Sequence, residues 1–168
     1  MTRARIRSAL LLCTLSSAVA ACIGAQPARP SALTTSIAPA DALDGAIRVL
    51  TQNGFTTARV DDRAGVVESD WQATQFMYGQ NQYHQTRYIA RRALVTVAPQ
   101  GGGSQLLLQM QDMACVDPAA FIAGDGAYAD CVAVDGLVAP DQELLDRIGA
   151  QLATSLGGPG GAPGAAMR

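Results

Sequence analysis

The sequence predicts an α+β domain: a single antiparallel sheet of four to five strands, built from two hairpins, with an N-terminal and a C-terminal helix on one face. Three observations carry that prediction. Apolar residues recur with helical spacing at the two ends of the chain and alternate with polar ones in the stretches between. Gly-containing turns separate those stretches in pairs. Each alternating run has one apolar and one wet face, as antiparallel strands do, and two helical stripes are then buried most simply against the dry face.

The first helix spans about residues 41 to 53. Asp41 is a candidate cap, and Leu43, Ala46, Ile47 and Leu50 form one stripe. Asn53-Gly54 ends it, with Gly54 suited to the left-handed position after a helix and Phe55 packing back. Thr56, Ala58 and Val60 alternate with polar neighbours, and Val66 to Gln72 returns after the turn Asp61-Asp62-Arg63-Ala64-Gly65, which makes the first hairpin. The second runs from Arg87 to Ala98, turns at Pro99 to Ser104, and returns from Gln105 to Cys115. A short strand is expected over Cys131 to Val134. The last helix opens near Pro140-Asp141, carries Leu145, Ile148, Leu152 and Leu156 on one stripe, and stops at Gly157-Gly158-Pro159.

The N-terminus has the form of an export signal. Arg3, Arg5 and Arg7 precede an apolar run from Ala9 to Ala21 that is too short to cross a bilayer as a helix. Val19-Ala20-Ala21-Cys22 resembles the lipobox of bacterial lipoproteins. The resemblance implies cleavage before Cys22, which would carry a thioether-linked diacylglycerol and an N-acyl chain such as palmitate. Several acyl chains hold a protein stably at a membrane surface. An ordinary cut after Ala18-Val19-Ala20 is the alternative. Cysteine parity favours the lipoprotein: Cys13 leaves with the leader, and lipidation of Cys22 removes an odd thiol from an oxidising compartment. Ile23, where Asp favours the inner membrane, leans towards an outer-membrane location facing the periplasm. The chain thus divides into a signal peptide (1–21), a lipidated Cys with a flexible Pro/Ala/Ser/Thr tether (22–40), the α+β domain (41–156) and a disordered Gly/Pro tail (157–168).

A second resemblance covers residues 41 to 98. The stretch ALDGAIRVLTQNGFTTARVDDRAGVVESDWQ, followed by RYIARRALVTVAP, is similar to the helix-plus-hairpin units of BamC-like lipoproteins of the outer-membrane β-barrel assembly machinery. It rests on a Gly-Phe after a helix and a Gly-x-Val-x-x-x-Trp hairpin. That family carries two such domains and this chain has room for one, so the likeness bears on fold and not on function.

Composition narrows the function classes. The basic residues are all Arg, and without the leader nine of them face 14 acidic residues, a net charge of about −5. Nucleic-acid binding needs a positive stripe, which is lacking. Cys115 and Cys131 are expected to form a disulfide, since no CxxC spacing or neighbouring His supports a metal or redox pair. Asp117, Asp125, Asp130 and Asp135 form an acidic loop that offers oxygen to Ca²⁺, but the EF-hand pattern is not met, and turn-forming Asp and Gly explain the same letters. His84 is the single histidine, and no Gly-x-Ser-x-Gly elbow accompanies it. Glu68 and Asp70 read as solvated strand carboxylates, not a glycosidase pair.

The stretch from Trp71 to Tyr88 holds five of the chain's eight aromatic residues among six Gln and Asn side chains. Read as a loop between the hairpins, it is an adaptable contact surface. Tyr78, Tyr83, His84, Arg87 and Arg91 are the candidate binding residues. For Trp71 and Phe76, packing on the sheet is the plainer reading. The sequence therefore points to a non-enzymatic, lipid-anchored envelope protein that binds a protein partner, without cofactor or metal. A small-ligand or glycan-binding domain is the alternative, and an envelope hydrolase using His84 or Glu68 a third.

Overall fold

A computed structural model describes residues 25–124 and 129–157. Cys22 and the lipobox, Asp125 and the tail beyond Gly157 lie outside the described residues.

The organising element is one long hairpin. Strands β6 (Thr86–Gln100) and β7 (Gly103–Cys115) pair along their whole length, from Tyr88 opposite Cys115 to Gln100 opposite Gly103. Only Gly101 and Gly102 remain in the turn, at φ 57° and 86°. Positive φ at both central residues is what a tight two-residue hairpin turn demands, and glycine adopts it freely.

Strands of 15 and 13 residues have room for two partners on each outer edge. At the turn end, β7 takes β2 (Ser31–Thr35), and β6 takes β4 (Val66–Ser69), which pairs in turn with β3 (Thr57–Asp61). At the other end, β6 takes β5 (Gln72–Gln80) and β7 takes β8 (Cys131–Ala133). All these pairings are antiparallel. A separate two-stranded sheet joins β1 (Ala25–Gln26) to β9 (Leu137–Val138).

The expected single sheet of four to five strands is therefore wrong. The described chain holds a seven-stranded sheet and a two-stranded one, with three helices. Two stretches account for the difference. Residues 72–80, expected in a loop, form an edge strand. Residues 23–40, expected as a tether, supply β1 and β2 from Ala25 onward, and Leu33 and Thr35 of β2 are buried.

Helix α1 (Pro39–Gln52) starts with Pro at its first turn, where no N–H partner is lost. Asp41 lies in that first turn and is not the cap; Ala38 holds the cap position without a side-chain bond. The C-terminus closes as the Asn53-Gly54-Phe55 run suggests. Gly54 has φ 84°, its N–H donates to Thr51 O (3.0 Å) and that of Phe55 to Leu50 O (3.0 Å), the paired bonds of a Schellman motif. Helix α3 (Ala139–Ser155) brings Leu144, Leu145, Ile148 and Leu152 to the same core. Both helices pack with Val67, Ala93, Val95, Val97, Leu106, Leu108 and Met110, which fall at alternate positions of β4, β6 and β7 and so line one sheet face. On the other face the short helix α2 (Pro118–Ile122) sets Phe121 edge-on against Trp71, with centroids 5.2 Å apart. The Arg92 guanidinium lies 4.7 Å from the Trp71 ring centre and pairs with Glu68.

Cys115 and Cys131 form a disulfide between residues directly opposite each other on β7 and β8. It fastens a strand of only three residues. Closing a loop of this length contributes about 3 kcal/mol in the chain-entropy account.

Candidate functional site

The five residues singled out in sequence separate into three environments. The first is the tip where β5 passes into β6. Asn81 organises it: its Oδ1 accepts from the backbone N–H groups of Tyr83 (2.9 Å) and Gln85 (3.0 Å), and its Nδ2 donates to Gln85 Oε1 (2.8 Å) and Asp130 Oδ2 (2.7 Å). Asn suits this role because its short amide satisfies turn N–H groups that no ladder reaches. His84 takes φ 61° in the same turn, and its side chain is exposed. Arg87 Nη2 donates to Asp130 Oδ1 at 2.9 Å. Asp130 is held below the usual carboxylate range, first by the Asn81 hydrogen bond and then by Arg87.

Asn81, Gln82, Tyr83, Arg87 and Asp130 line an open pocket of about 260 Å³. Tyr83 stands 72% exposed at its rim. Asn81 is fully engaged in holding the turn, and the charge of Arg87 is matched by Asp130. The groups left to meet a ligand are the ring and hydroxyl of Tyr83 and the Gln82 amide. A matched, neutral site of this kind suits an uncharged polar or aromatic surface over an anion.

The second environment is the minor core. Tyr78 is half-buried there with Phe76 against Ile89, Ala114 and Val138. It does not reach the tip pocket.

Arg91 occupies the third, on the helix-facing side of the sheet. Its Nη1 lies 2.5 Å from Oδ1 of Asp141, a residue with no exposed surface, and its guanidinium carbon lies 5.8 Å from the Phe55 ring centre. Asp112, opposite Arg91 on β7, accepts from the Val138 N–H at 2.9 Å and is within hydrogen-bond reach of Asp141. Burial pushes the Asp112 carboxyl up to about 7, helped by the negative charge of Asp141 and opposed by the Val138 N–H. Burial also raises Asp141, against the pull of Arg91. Arg87 and Arg91 thus each already hold a carboxylate of this chain.

Asp112 and Asp141 are not among the site residues expected from sequence. A signal was present for the first: Leu106, Leu108, Met110, Asp112 and Ala114 are alternate residues of one strand, and a charge in that buried series requires a partner. At Asp141 the sequence signals only the start of a helix.

The remaining acids disperse. Asp117 caps α2 by accepting from the N–H groups of Ala119 and Ala120, both at 3.0 Å. Among the described residues no three potential metal ligands come together, and no helix is long and apolar enough to cross a membrane. No known protein family and no curated protein matches the chain.

Proposed function

We propose that this is a lipid-anchored, non-enzymatic domain of the bacterial cell envelope that binds a protein partner through the β5–β6 tip. One observation carries the reading. Tyr83 is the most exposed large hydrophobic side chain among the described residues, and it sits on a turn braced by Asn81 and tied through Asp130 to the disulfide-fastened strand β8. An exposed aromatic on a rigid support is what contact surfaces use as an anchor, because little side-chain freedom is lost on binding. The lipobox-like Cys22 supports the membrane anchor, and Ile23 favours the outer membrane facing the periplasm.

Crosslinking in intact cells from a photoreactive residue at position 82, with mass-spectrometric identification, tests the reading. A discrete protein adduct that disappears in Y83A supports it. An adduct unchanged in Y83A removes the tip from consideration. The neutral pocket of about 260 Å³ also has the size for one sugar ring, which favours glycan binding as a second reading. Attachment of wall polymer in place of protein selects it.

A further inference from the structure

Four elements meet at the buried cluster. Asp112 comes from β7, Arg91 from β6, Asp141 from the first turn of α3, and the Val138 N–H from the end of β9. Its carboxyl oxygens are not all satisfied when both acids are ionised. Asp112 Oδ2 takes the Val138 N–H, and Asp141 Oδ1 takes Arg91. The other two oxygens, Asp112 Oδ1 and Asp141 Oδ2, are buried and accept no hydrogen bond, and the Arg91 Nε–H is buried without an acceptor. Two carboxylates against one guanidinium would also leave a net negative charge inside the protein, which is strongly unfavourable. A single proton satisfies the two carboxyl oxygens and the charge together: one carboxyl group becomes an O–H donor to the other, and the cluster becomes neutral.

We propose that Asp112 and Asp141 share one proton, and that this proton latches α3 and β9 to the sheet so that raising the pH from acid to neutral loosens them.

Among the described residues, the charged groups facing the pair are its own members on β7 and α3 and Arg91 on β6. Val138 of β9 presents an uncharged amide, and Phe55, after α1, presents a ring to Arg91. Arg91 neutralises one carboxylate and has no second charge for the other. The raised position of Asp112, about 7, agrees with a proton retained into the neutral range. The sign follows. A carboxyl that holds its proton more tightly folded than unfolded contributes stability that is present in full below the unfolded value of 3.8 and lost as pH rises to about 7.

The test compares thermal unfolding of the full chain and its D112N variant from pH 5 to pH 8. Asn keeps an acceptor for Val138 and places an N–H where the proton sits, without titrating. The wild-type melting temperature should fall by roughly 5–10 °C across this range, while D112N stays level. Carbon-13 titration of the wild-type carboxyl groups should give a midpoint near 7 for the pair, a readout that stands whether or not D112N folds. Parallel melting curves in the two proteins, or both carboxyl groups ionised by pH 5, overturn the proposal.

Discussion

Arg87 and Arg91 lie four residues apart on one strand, each bound to an aspartate, and the two pairs live under different physics. Arg87 meets Asp130 at the wet end of β6, where water screens the pair and Asn81 shares the carboxylate. Arg91 meets Asp141 in the first turn of α3, where the carboxylate has no exposed surface and a second carboxylate crowds in. The first pair shapes a surface. The second, with Asp112 and the Val138 N–H, joins four elements of the fold and ties its stability to proton uptake. Ion pairs of the same composition therefore cannot be valued from residue types, and burial decides their role.

Removing one partner from the buried pair sharpens the contrast most. R91M leaves both carboxyl groups without a cation and should cost about 3–5 kcal/mol at neutral pH, read by denaturant unfolding. The loss should shrink towards pH 4, where the variant can neutralise both acids by binding protons. Next comes the staple. The double variant C115S/C131S should lose about 2–4 kcal/mol, and the wild-type protein should lose a similar amount on reduction. The tip pair is expected to matter least for stability: D130N should leave the melting temperature almost unchanged, while proteolysis near residue 130 becomes faster as Asp130 releases Asn81 and Arg87. Y83A should leave stability and pH profile as they are and abolish only the crosslink from position 82. A large destabilisation by D130N, or a small one by R91M, would break the comparison.

Periodicity made part of this architecture legible. Both terminal helices and the two hairpins stand within a few residues of where their apolar spacing put them, because each buries one continuous stripe. β5 escaped because it is irregular: its register with β6 shifts between Ala73 and Met77 and again before Gly79, so no clean alternation survives in Gln72–Gln80. β2 is five residues long and follows Pro27 and Pro30, and its inward Leu33 and Thr35 gain meaning only from β7, some 70 residues further along. At the tip, Tyr83 and Arg87 stood out as residue types. Asp130, which completes their pocket, lies 43 residues from Arg87; the expected disulfide and short strand bring it near the end of β7 but do not fix which side chain it meets.

The entry of β1 into the fold at Ala25 has a consequence for geometry at the envelope. Only Ile23 and Gly24 separate it from Cys22, a stretch that reaches at most about 10 Å when fully extended. With acyl chains on that cysteine, the body would ride on a short leash with its β1–β9 corner against the headgroups, able to pivot and unable to roam. Its partners would then have to come to the lipid surface to be met.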